Sequence, residues 1–154
     1  MEQKFYLVIK GTKQGTFKGG SHHHHHDGIE VGSFSFGTET PLDDSTGQAS
    51  GKRRHNPLKI VKETGAASPQ MLYACVTNEV LQSVSIQFVK TSSDGKESVD
   101  HTIELTNALV KSIKPSHSLS GALCEEVILV FENSSANSAA HRRLRHAIFL
   151  EHVA

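Results

Sequence analysis

Five consecutive histidines, His22, His23, His24, His25 and His26, sit in the stretch GSHHHHHDG and are the one feature of this sequence with obvious site chemistry. Neutral imidazole nitrogens ligate zinc, nickel or copper, and neighbouring histidines on one loop can offer two or more of them. A structural metal centre uses spaced ligands supported by outer hydrogen bonds, and five residues in a row do not supply that spacing. The run therefore reads first as a solvated loop without a specific role. A purification-tag remnant, opportunistic metal binding and pH sensing are the alternatives. Eleven histidines in all make the net charge responsive to pH, because unperturbed imidazole titrates near ~6.5.

Other chemistry finds little support. Serine, histidine and carboxylate are abundant, but no G-x-S-x-G elbow, Walker loop, HExxH or paired-cysteine zinc pattern is present, so the sequence does not read as an enzyme and implies no cofactor. Sixteen basic and sixteen acidic residues cancel, which argues against a general nucleic-acid or membrane-surface binder. The basic runs GKRRH (51–55) and HRRLRH (141–146) lack interleaved aromatics, and there is no tryptophan. They suit an intersubunit or surface role better than nucleic acid. Cys75 and Cys124 lie far apart in apolar company and read as two buried, reduced thiols. The longest apolar run at the N-terminus, Phe5 to Ile9, is too short for a secretory leader or a membrane helix. The expectation is a cytoplasmic product with no membrane insertion, which leaves the cell, if it does, without a cleaved leader.

The elements that would position any site follow a period of two. Strands are expected at Lys4 to Ile9, Ile29 to Phe36, residues 57–62 and residues 82–90, where Val84, Ile86 and Phe88 alternate with Ser83, Ser85 and Gln87. Residues 98–114 are long for one strand, and their phase slips near Asn107-Ala108, so a bulge or bend is expected there. Residues 123–132, LCEEVILVFE, form the most apolar strand and should be central, while Asp94-Gly95 marks a hairpin. One helix is predicted at 68–78, with Ser68 as N-cap, Pro69 in the first turn, and Met71, Leu72, Cys75 and Val76 as a core-facing stripe. Residues 37–56 carry no apolar periodicity and read as a long exposed loop, a length that is usually functional or disordered. The segment HRRLRHAIFLEHVA fits either a helix face or a closing strand, and the strand is preferred. The 154 residues make a single domain. The fold class is mainly β: an antiparallel barrel or two-sheet sandwich with one short helix and a long extended loop.

Several of these stretches occur together, in order, in one known family. FKGGS (17–21), IEVGSFSFGTETP (29–41), SGKRRHNPLKIVKETGAASPQMLYAC (50–75), VSIQFVK (84–90), ELTNALVKSI (104–113) and EEVILVF (125–131) resemble the haemolysin-coregulated proteins, Hcp, inner-tube subunits of bacterial type VI secretion systems. The resemblance spans about residues 4–132, and the C-terminal segment 134–154 falls outside it. Departures are Gly19, where the family favours glutamate, and Gly32 inside the second strand. The histidine run falls where the family carries a polar loop, often with histidine, which favours a natural loop.

The resemblance implies a phage tail-tube-like barrel that closes into homo-hexameric rings, with rings stacking into a hollow tube. The partners it implies are other copies of the chain and the sheath, spike and effector proteins of the apparatus. It gives residues 38–55 an assembly role, with Thr40, Pro41, Asp43, Asp44, Lys52, Arg53 and Arg54 as the contact residues. Opposite charges in that loop could pair between rings, through repetition rather than any one pair. Ring closure would also cover exposed strand edges. If Phe34 and Phe36 turn inward, Ser33 and Ser35 become candidates for a polar wall of the channel. The tube of another phage-like contractile particle and a histidine-rich metal-binding β-domain are the competing readings.

Overall fold

The structure is a computed structural model that describes residues 3–19, 28–49, 51, 54–117, 119, 121–138 and 141–149. The histidine run, Lys52 and Arg53 lie outside the described residues. In chain order the elements are β1 (Gln3–Gly11), β2 (Gly15–Thr16), β3 (Ile29–Val31), β4 (Ser33–Glu39), β5 (Arg54–Glu63), α1 (Ser68–Thr77), β6 (Leu81–Thr91), β7 (Glu97–His117), β8 (Leu123–Ser138) and β9 (His141–Phe149). Every strand pairing is antiparallel. The preferred reading of the C-terminal segment as a strand agrees with β9, and β8 is central between β7 and β5.

Two leaves share the long strands β7 and β8. In the first, β3 and the short β2 flank β1, followed by β6, residues 101–106 of β7, residues 133–138 of β8, and β9. In the second, β4, β5, residues 123–131 of β8 and residues 108–117 of β7 lie side by side. The segment 29–39 joins the leaves, because β3 pairs with β1 while β4 pairs with β5. The single strand expected from Ile29 to Phe36 is thus broken at Gly32 and continues to Glu39. A Cβ on Gly32 would stand 3.2 Å from the Val61 carbonyl oxygen, which accepts the Gly32 N–H at 2.9 Å. A side chain here would press on the Val61 carbonyl, a close approach that glycine accommodates without strain.

The phase slip expected near Asn107 is present, and neighbouring strands share it. Leu81, Ala108 and Phe131 are paired across β6, β7 and β8, as are Val84, Leu105 and Ser134, and all six are buried. Buried positions here are three residues apart instead of two, so all three strands crease along one line. Asn107 absorbs the change with φ 51°, a left-handed conformation asparagine tolerates, and its Nδ2 donates to Glu132 Oε2 at 2.9 Å. The pairing register of β7 with β8 shifts further along, between Val110 and Ser112. The Asp94-Gly95 hairpin forms as expected, closed by Ser92 N–H to Lys96 O and by Gly95 at φ 82°.

Between the leaves lie Leu7, Ile9, Leu58, Ile60, Val84, Ile86, Leu105, Val127 and Leu129, each essentially inaccessible. Burial of one such side chain contributes about 1.5–3 kcal/mol, so alternation at period two is the dominant stabilising pattern. Helix α1 lies where β6 begins and β7 runs on past it, and here the sequence reading needs correction. Ser68 is the first helical residue and Ala67 the cap, and the buried face is Ala67, Ser68, Met71 and Ala74. Leu72 and Val76 are 53% and 74% exposed, on the opposite side from Met71 and Ala74. The helix is turned this way because Ser68 Oγ points inward, accepting from Gly65 N–H at 2.9 Å and Lys62 Nζ at 3.2 Å. Cys75 and Cys124 are free, as expected, but half-buried instead of buried. Cys75 lies on the flank of α1, its Sγ 4.0 Å from the Lys111 carbonyl oxygen of β7.

Candidate assembly surface

Strand β4 carries the residues read as a channel wall. Its alternation turns Phe34 and Phe36 toward the interior and leaves Ser33 and Ser35 exposed. Phe34 meets Phe5 and Phe88 edge-on at centroid distances of 5.0 and 5.3 Å, and Phe36 lies 5.7 Å from Phe131. These aromatic contacts lock the strand's facing, so the serines have no alternative orientation without unburying two rings. The face they share is not uniformly polar. Register places Ser33 beside Val61 and Glu126, and Ser35 beside Lys59 and Ile128. Val61, Ile128 and Val130 are half-buried on this face, and Lys59 Nζ lies 3.4 Å from Glu126 Oε2. It is a mixed aliphatic and charged surface with a serine margin.

The long loop is shorter than the sequence suggested, because β4 runs to Glu39 and β5 begins at Arg54, opposite it. Residues 37–39 and 54–56 belong to strands, which their composition concealed because glycine, asparagine and charged residues are depleted in strands. The loop tip is itself built. Leu42 and Ala49 form a bridge, Asp43 N–H donates to Gln48 O at 2.8 Å, and Gly47 N–H donates to Asp43 O at 2.8 Å. Asp43 Oδ1 accepts from Ser45 N–H at 2.8 Å and from Ser45 Oγ at 2.6 Å. Thr40, Asp43 and Asp44 are exposed and Pro41 is half-buried. Asp43 is therefore occupied by its own turn in the single chain.

The hydrogen bonds from Ser45 hold the Asp43 carboxyl below its ordinary range, the hydroxyl contributing most and the backbone N–H next. A depressed carboxyl stabilises the turn above the unfolded pKa and loses that contribution as pH falls through the folded one. The Ser45 amide resonance should accordingly hold its folded position at pH 5 and move only as pH drops below the ordinary aspartate range. A titration that moves Ser45 and Gln48 amides together above pH 5 would contradict this.

Three polar groups that position this surface escaped the sequence reading. Lys62 and Glu125 form a buried ion pair at 3.0 Å, and Glu79 is buried where α1 leaves for β6. Two of them were legible in principle: Lys62 continues the inward parity of Leu58 and Ile60, and Glu125 that of Val127 and Leu129. Also unforeseen is the state of the strand edges. In the second leaf, β4 pairs with no strand but β5, and residues 109–117 of β7 pair with no strand but β8, among the described residues, although Cys75 of α1 meets the Lys111 carbonyl. Pro115 sits in that β7 stretch, where an edge tolerates its missing N–H. No group of three or more His, Cys, Asp or Glu is placed to hold a metal among the described residues.

A family model described as "Type VI secretion system effector, Hcp" matches residues 6–137. The chain belongs to the Hcp family. A curated relative, the "Major exported protein" of Pseudomonas aeruginosa, is 34% identical over 119 residues, covering 71% of this chain and 69% of its own. Among solved structures, one described as Hcp protein superposes with a TM-score of 0.88 at 18% identity, covering 98% of this chain and 99% of its own. A variant of Hcp1 from E. coli EAEC 042 gives 0.85 at 24%, covering 95% and 97%. The secreted protein Hcp3 from Pseudomonas aeruginosa gives 0.76 at 22%, covering 98% and 100%. The mainly β Hcp architecture with one helix thus extends to this chain, including its C-terminal strand β9. No helix among the described residues is long and apolar enough to cross a membrane.

Proposed function

We propose that this Hcp-family chain is a non-enzymatic tube subunit, which closes into six-membered rings, stacks as a hollow tube and is exported with effectors. The observation that carries the reading is the second leaf. It has four antiparallel strands whose outer two, β4 and residues 109–117 of β7, pair with no further strand among the described residues and run in opposite directions. Copies laid side by side in one orientation then meet β7 to β4 antiparallel, and the same operation repeats at every junction. Such head-to-tail pairing closes into a ring when the rotation fits, and closure removes the edges. The first leaf offers less to this scheme on its β1 side, where only the two-residue β2 and three-residue β3 stand.

In such a ring the outer face of the second leaf faces the channel. Ser33 and Ser35 belong to that wall, alongside Lys59, Glu126 and the aliphatic Val61, Ile128 and Val130. The wall then offers cargo small apolar contacts as well as hydrogen bonds. Residues 40–49 follow directly on the end of β4, the position from which they reach a neighbouring copy. Light scattering should return six times the 16.8 kDa chain mass, with rings visible by electron microscopy. A strict monomer at high concentration, with no rings, rejects the assembly.

A further inference from the structure

Helix α1 presents an apolar face that the single chain leaves bare. Leu72, Tyr73 and Val76 are 53%, 52% and 74% exposed, and the sequence SPQMLYACVT contains no charged residue. On the same chain Leu42 is 59% exposed, yet it stands on an ordered turn, paired with Ala49 and followed by the Asp43–Ser45 bonds. An exposed leucine on a built loop and an uncharged helix face are complementary, but they lie at opposite edges of the second leaf. They can meet only between copies.

Strand geometry says where. With β4 laid antiparallel on a neighbour's β7, Phe34 and Phe36 must stay on the side of Ile113 and Pro115, because a one-residue slip would invert the faces. Aligning the strand ends under that condition sets Ser33 against Ser116 and brings Glu39 to the bulge at Val110 to Ser112. At that bulge Cys75 Sγ of α1 approaches the Lys111 carbonyl. The chain leaving Glu39 as Thr40-Pro41-Leu42 therefore runs directly onto the neighbour's helix. Charge agrees: Asp43 and Asp44 follow Leu42, and Lys111 is exposed beside α1.

We infer that Pro41-Leu42 of one copy docks on the Leu72–Tyr73–Val76 face of the next, with Asp44 near Lys111. This rests on the ring reading above and adds a contact that reading does not require. The contact ties the loop to the adjacent copy in the same ring, and a one-residue apolar anchor fixes the loop's direction before Asp44 engages.

The test places Leu42→Cys and Leu72→Cys in one chain, with Cys75→Ser and Cys124→Ser removing the native thiols. A short bis-maleimide should then give a ladder of covalent multimers up to six chains. A control pairing Leu42→Cys with Val99→Cys, at the distant hairpin end of β7, should give little beyond monomer. Asp44→Lys should raise the concentration at half-assembly about tenfold, and Lys111→Asp in the same chain should restore it. Rings of normal mass whose 42/72 ladder is no stronger than the control overturn the docking and leave the ring intact. A wild-type monomer overturns both. Dispersal of rings by either cysteine substitution in a chain of unchanged melting supports the docking, since both side chains are exposed within one copy.

Discussion

Lys62→Met should lower the unfolding free energy by about 3–5 kcal/mol, and adding Glu125→Leu should return most of the loss. Lys62 and Glu125 are 2% and 4% exposed, and their charged atoms lie 3.0 Å apart. The ammonium also donates to Glu63 O at 3.0 Å and Ser68 Oγ at 3.2 Å. Removing it strands a carboxylate in the interior, which is far costlier than the net value of the pair. Replacing both partners by apolar groups of similar volume removes the desolvation cost along with the attraction. Urea unfolding should show the single variant's midpoint falling while the slope stays constant, and the double variant's recovering. A single-variant cost below about 1 kcal/mol would mean that water reaches the pair. The consequence extends beyond stability. Ser68 Oγ also receives Gly65 N–H, so the pair sets the turn that aims α1 at the β7 edge.

Strand placement was legible wherever one face is buried and the other solvated. QSVSIQFVK declares its facing because Val84, Ile86 and Phe88 stand two apart, and β6 follows that pattern, while the unbroken apolar run of LCEEVILVFE marked β8 as central. Even the crease at Asn107 left a mark, because a slip of phase is visible in one strand without its partners. The facing of α1 was not legible. Met71, Leu72, Cys75 and Val76 make a plausible stripe, but the choice between it and Ala67–Met71–Ala74 is made by Lys62 and Ser68, outside helical periodicity. The partner switch at Gly32 depends on how near Val61 comes, a distance no local pattern encodes. Of the proposed assembly surface, the exposure of Ser33 and Ser35 could be read from alternation with two phenylalanines. The open edges could not, since an unpaired strand has the same composition as a paired one. The aliphatic half of the proposed wall was hidden for a related reason: Val61, Ile128 and Val130 look like core in sequence, and only register moves them to the outer face.

The other end of α1 supplies the second large effect: Glu79→Ala should cost about 2–4 kcal/mol and Glu79→Gln distinctly less. Glu79 is 1% exposed, and its Oε1 accepts from Lys13 N–H at 2.7 Å and Gln14 N–H at 2.8 Å. Its Oε2 accepts from Gln14 Nε2 at 2.7 Å. Alanine leaves three donors without their charged acceptor, two of them backbone groups in a tight turn that has few other partners. Glutamine keeps one carbonyl acceptor of nearly the same shape, so part of the clamp survives. Gly11 belongs to the same arrangement, since a Cβ there would stand 3.0 Å from Glu79 Oε2. Gln14 Nε2 also donates to Gln70 O at 3.0 Å, and Lys18 N–H donates to Gln70 Oε1 at 2.8 Å. Glu79 thereby ties the first turn to the helix, as Lys62 ties the helix to β5. Hydrogen exchange should register the difference between loss of a clamp and general loss of stability: Lys13 and Gln14 amides should lose protection in Glu79→Ala well before those of β8. If their protection falls only in step with β8, Glu79 contributes to global stability alone and the helix is positioned from its N-terminal end. If they open first, α1 is held at both ends, which is what a fixed platform for a neighbour's Leu42 requires.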